Sequence, residues 1–131
     1  MKIIFFALLF VFSSVAFAET LRFTKFNVTA KTEWIKAPTS SKEAIMALQF
    51  LDDRESPVEV AATLTVDLFM PQMGHGSGPT ALERVLDDQD DITPGAWKVK
   101  NMWFIMAGVW EVRVTLKKGT KAETIKFNVS L

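Results

Sequence analysis

The sequence predicts an all-β protein, an immunoglobulin-like antiparallel sandwich of two sheets, preceded by a signal peptide. Three observations carry this. Apolar and polar residues alternate with period two over several stretches, the mark of half-buried strands. Turn-forming clusters cut the chain into six or seven such strands. No stretch shows the periodicity of a long helix, and many short strands without helices indicate a sandwich.

The elements follow in chain order. Lys2 gives a short positive start, Ile3 to Phe12 is an unbroken apolar run, and Ala16-Phe17-Ala18 is a small-x-small site before Glu19. This is the layout of a secretory leader cleaved after Ala18. The run is short for a membrane span, which needs about 20 apolar residues. An uncleaved N-terminal anchor is the alternative. The expected product is a single domain from Glu19 to Leu131, periplasmic, with no stable membrane insertion after cleavage. The chain contains no cysteine, which excludes disulfides and attachment of lipid through a cysteine.

Leu21 to Thr32 holds one or two short strands, and Ala44 to Leu51 (AIMALQFL) holds another before the turn-rich stretch Asp52 to Pro57. In Ala61 to Met70 (AATLTVDLFM), Leu64, Val66, Leu68 and Met70 share one face. Pro71 to Gly95 lacks clear strand character; within it Thr80 to Asp88 (TALERVLDD) fits one or two helical turns. Ala96 to Met106 begins with Trp97 and Val99 in phase, then continues with Met102, Phe104 and Met106 in the opposite phase. A bulge near Asn101 reconciles the halves. After the Ala107-Gly108 turn, Val109 to Lys117 places Trp110, Val112, Val114 and Leu116 inward. Lys118 to Lys121 turns the chain, and Thr124 to Leu131 places Ile125, Phe127, Val129 and Leu131 inward.

The formal net charge is zero, and loss of Lys2 with the leader leaves one excess negative charge. There is no basic field for nucleic acid and no basic amphipathic helix for a membrane surface. Catalysis lacks parts. The chain has one histidine and no cysteine, Ser77 lies in no G-x-S-x-G elbow, and no acid is placed to orient His75. The protein therefore reads as a non-enzyme. Asp87, Asp88, Asp90 and Asp91 do not match a calcium-loop spacing and read as part of a solvated acidic loop. Of the tryptophans, Trp110 reads as core and Trp103 as exposed, and one exposed ring makes a weak sugar platform.

The chemistry concentrates in residues 70–79, MPQMGHGSGP, where two methionines and the only histidine lie within six positions. Pro71 stops the preceding strand from pairing further. Gly74, Gly76 and Gly78 let the loop curl back, which converges Met70, Met73 and His75. Thioethers with an imidazole suit Cu(I) better than zinc, calcium or magnesium. Met102 and Met106 precede the Gly108 turn and complete such a site if their end of the sandwich faces the loop. The plainer reading is that Met70, Met102 and Met106 fill gaps in the core and His75 is a polar turn residue.

The strings LFMPQMGHGSGP and PGAWKVKNMWFIMAGVWEVRVTL, spanning about half the chain between residues 58 and 117, resemble the YtkA-like/FixH-like family of small exported or membrane-anchored β-sandwich domains. The matching pattern is an MPxMGHG loop at Met70 to Gly76, a Pro-Gly-aromatic strand start at Pro94 to Trp97, and M-x-G-x-W at Met106 to Trp110. The chain departs from it in the acidic insert Glu83 to Asp91 and in the cleavable leader. The resemblance implies an immunoglobulin-like fold and a link to copper handling or oxidase maturation. It implies Met70, Met73, His75 and Met106 as candidate ligands; Met102 is added on position alone. Two functions are expected. One is a periplasmic Cu(I) carrier or chaperone that passes copper to an envelope protein. The other is a metal-free envelope interaction module whose methionines are adaptable apolar contacts.

Overall fold

The structure, a computed structural model, describes residues 18–131; the expected leader and its expected cleavage site lie almost wholly outside the described residues. Nine strands follow in order: β1 (Ala18–Phe23), β2 (Val28–Lys36), β3 (Ala44–Leu51), β4 (Thr63–Met70), β5 (His75–Gly76), β6 (Ala81–Leu86), β7 (Ile92–Met102), β8 (Val109–Lys118) and β9 (Lys121–Ser130). They form two antiparallel sheets, β1-β2-β3-β7-β6 and β5-β4-β8-β9. The chain changes sheet three times, between β3 and β4, between β5 and β6, and between β7 and β8. The inner pairs β3–β7 and β4–β8 then stack as the B–E and C–F pairs of an immunoglobulin-like sandwich do.

The core lies between the sheets. Leu64, Val66, Leu68 and Met70 of β4 and Trp110, Val112, Val114 and Leu116 of β8 are all buried, as their alternation predicts. Met46, Leu48 and Phe50 of β3 and Val99 and Met102 of β7 face them. The bulge expected near Asn101 is present. Met46 pairs with Val99 and Ala44 with Met102, so β7 carries one extra residue, and Asn101 sits at φ 59°. The extra residue turns both Val99 and Met102 inward.

Three expectations about the elements and the facing of β9 fail, each for a physical reason, and β7 ends at Met102 rather than Met106. Residues 80–88 form no helix. Leu82 and Arg84 pair with Val99 and Trp97, and ladder hydrogen bonds with β7 override the local helical spacing. Residues 71–95 are therefore not one long loop, since β5, β6 and the start of β7 lie within them. The acidic insert is the β6–β7 hairpin. At its tip the Asp87 carboxylate accepts hydrogen bonds from the backbone N–H of Gln89 (2.8 Å) and Asp91 (3.0 Å), as aspartates do in Asx turns. Leu131 is exposed rather than inward, because β9 is an edge strand and ends at Ser130.

Glu59, in the β3–β4 connection, ties both hairpin strands down. Its carboxylate accepts from Arg84 Nη1 (2.8 Å) and Nη2 (2.6 Å) and from the Gly95 N–H (2.8 Å). The Arg84 guanidinium lies 4.3 Å from the centre of the Trp97 ring. The Arg84 hydrogen bonds first, and the Gly95 N–H second, hold the Glu59 carboxyl below its usual range. A pKa lowered by folding contributes stability above the unfolded value, and this is lost as pH falls through the folded one. Glu59→Gln is therefore expected to lower stability at pH 7 and to flatten the loss of stability below about pH 4.5. Urea midpoints of both forms across that range check this; parallel acid limbs would show that Glu59 does not contribute.

Candidate metal centre

The MPQMGHG segment folds as a tight hairpin at the end of β4. The Met70 carbonyl accepts from the N–H groups of Met73 (3.2 Å) and Gly74 (3.0 Å), closing the turn over Pro71 and Gln72. Gly74 has φ +67°, a conformation that L side chains rarely adopt. Gly76 is needed for another reason, since a Cβ there would lie 2.7 Å from the Leu68 carbonyl oxygen. Gly78 has neither constraint. Only one of the three glycines thus supplies the unusual backbone angle, and a second permits close approach.

This turn sets His75 directly across from Met70 as a cross-strand pair. Directly opposed residues of an antiparallel ladder carry their side chains on one face, with Cβ atoms about 5 Å apart. Met70 is 2% exposed and continues the inward row of β4, whereas His75 is half-buried at the rim. His75 Nδ1 lies 3.1 Å from the Gly76 carbonyl oxygen. A carbonyl only accepts, so in the neutral ring this contact favours the tautomer with the proton on Nδ1, in which Nε2 is free to take a ligand. Met73, at the turn apex, is 55% exposed.

The residue 103–108 turn lies against this hairpin. A Cβ on Gly108 would sit 2.8 Å from the Met70 methyl and 3.9 Å from its sulfur, so the glycine makes room for the Met70 thioether. Gln72 Oε1 approaches the same point, at 3.7 Å. Met106, two residues earlier, is 37% exposed, and its carbonyl accepts the Trp110 indole N–H (2.9 Å). Met102 is fully buried between the sheets, as Met70 is, but it lies opposite Ala44 rather than a second donor, and its thioether is part of the packing. The fold thus gathers Met70, Met73 and His75 on one hairpin, with Met106 on the adjoining turn and Met102 in the core. Gly108 and Gln72 escaped the reading of the sequence, because only the neighbouring turn reveals their closeness to Met70.

The donor chemistry is soft. Among the described residues no three His, Cys, Asp or Glu side chains gather where a metal could sit. Hard cations such as Ca²⁺ or Mg²⁺ require oxygen ligands. Thioethers and one neutral imidazole fit Cu(I). Comparison with family models, with curated proteins and with solved structures finds no match for this chain.

Proposed function

We propose that this is an exported copper-binding protein, a Cu(I) carrier or chaperone of the YtkA-like/FixH-like kind, acting in the periplasm without enzymatic activity. The observation that carries the reading is the Met70–His75 cross-strand pair, made by a turn whose apex is a third donor, Met73. Met106 lies on the turn whose Gly108 packs against Met70, and its exposed side chain suits ligand exchange with an envelope protein that receives the ion. Met102 is buried like Met70, but it lies opposite Ala44 and has no second donor paired across from it. The second reading, a metal-free interaction module, draws support from the exposed apolar side chains Met73, Trp103 and Ile105.

The test is competition of the purified protein against a Cu(I) chelator. One Cu(I) per chain is expected, with discrimination against Zn(II). Met73→Leu keeps the side chain's size and removes the sulfur at an exposed position, so stability should not move. Its Cu(I) affinity should fall by at least about tenfold, the loss that even an outer-sphere partner can cause. His75→Ala should cause a similar loss and remove the part of the affinity that declines on acidification, since an imidazole binds metal only when neutral. A parent protein that takes up no copper, or two variants that bind as it does, would sink this reading.

A further inference from the structure

We infer that the end of the sandwich carrying the Met/His hairpin docks on the surface of a lipid bilayer, independently of any metal. Nine large apolar side chains are exposed among the described residues, and seven of them lie at this one end. Met73 stands on the 71–74 turn; Trp103, Ile105 and Met106 follow the end of β7; Val109 opens β8; Leu131 follows β9. Ile35, at the end of β2, is the seventh. Each is more than a third exposed. The ends join through backbone hydrogen bonds, Leu131 and Gly108 exchanging both N–H groups at 2.9 Å.

Charge and chain geometry both point to lipid. Residues 68–82 and 101–110 contain no Asp, Glu, Lys or Arg, in a chain that is 23% charged. The charges at this end, Lys36, Lys42 and Glu43, lie at the end of β2 and in the connection to β3, and the Glu43 carboxylate accepts from the Asn101 N–H (2.6 Å), so the two uncharged segments enter the headgroup boundary without the cost of desolvating ions. Isolated exposed apolar residues are ordinary, but a cluster of this kind marks a contact surface. The N-terminal side of the chain emerges at the same end. Ala18 pairs with Glu33 near the end of β2, next to the start of β3 and the end of β7. Only five residues, 13–17, separate Ala18 from the apolar run Ile3 to Phe12. Fully extended, five residues reach at most about 18 Å. A leader of this pattern holds its precursor at the membrane until it is cleaved, so this end of the domain meets the bilayer first. No helix among the described residues is long and apolar enough to cross a membrane.

The chain has no cysteine, so single labels are unambiguous. An environment-sensitive fluorophore is placed on Ile105→Cys at the apolar end and on Ile92→Cys in the β6–β7 hairpin at the other. Protein recovered from the envelope is mixed with vesicles of phosphatidylethanolamine and phosphatidylglycerol, and with vesicles of phosphatidylcholine alone. The label at 105 should shift to the blue and be quenched by brominated acyl chains with both lipids and with little effect of salt, while the label at 92 stays unchanged. Trp103→Ser with Ile105→Ser should lower vesicle binding by at least about tenfold. Absence of binding overturns the inference, as does binding that leaves the 105 label in water, which would show that the leader alone holds the protein. A 105 label shielded without lipid as protein concentration rises would assign this face to a second copy instead and equally overturn it.

Discussion

Replacing Gly95 by alanine is expected to destabilise the domain by about 2–5 kcal/mol. Gly95 lies early in β7 at φ +68°, and an added Cβ would collide with the Val58 carbonyl oxygen and come within 3.1 Å of that of Phe50. Both obstacles are backbone, so neither can swing aside as a side chain would. The residue 57–59 segment is itself fixed there. The Val58 N–H donates to the Phe50 carbonyl (3.1 Å), and the Glu59 carboxylate accepts from the Gly95 N–H (2.8 Å). A left-handed backbone costs a non-glycine residue about 1–2 kcal/mol, and forced overpacking adds about 1–3 kcal/mol. Two controls separate these contributions. Gly119→Ala, at φ +62° with nothing within 4 Å, should show the backbone cost alone, and Gly78→Ala should be nearly silent. Denaturant midpoints of the three variants decide. If Gly95→Ala loses no more than Gly119→Ala, the close approach of residues 57–59 to β7 is wrong.

Much of the sandwich was legible because three of its strands, β4, β8 and β9, have one dry and one wet face, and alternation reports that directly. The bulge in β7 was legible for the same reason, since an extra residue leaves a visible change of phase at Asn101. The β6 strand was not. In ALERVL the apolar residues Leu82, Val85 and Leu86 fall at helical spacing, and what makes it a strand is a partner, β7, that forms its ladder from residues 92–100. Phase also misled beyond the end of β7. Met102, Phe104 and Met106 alternate in the sequence, yet Met102 and Phe104 are buried while Met106 is exposed, because β7 ends at Met102 and the chain then turns. The candidate metal loop was legible as a set of donors brought round by glycine. The pairing of Met70 with His75 was not, because it depends on a turn closed by the Met70 carbonyl.

Trp110→Ala is expected to cost about 3–5 kcal/mol, the range for emptying a buried large aromatic site. Trp110 is the largest fully buried side chain, and its ring meets that of Phe104 edge-on at 5.7 Å between centroids. An unchanged denaturant midpoint would show that β8 faces the other way. The same indole also reaches outward, since its N–H donates to the Met106 carbonyl at 2.9 Å. Phe104 and Trp110 thereby bracket the exposed turn that carries Met106 and whose Gly108 packs against Met70. Trp110→Phe separates packing from tethering. It keeps an aromatic ring in the core and removes the hydrogen bond, a net loss of about 1 kcal/mol for the bond itself. If the tether positions Met106 as a ligand, Trp110→Phe should weaken Cu(I) binding in the chelator competition, and should do so no further once Met106→Leu is present. Additive losses in that double variant would mean that Trp110 acts on the fold alone and that Met106 gains nothing from being held.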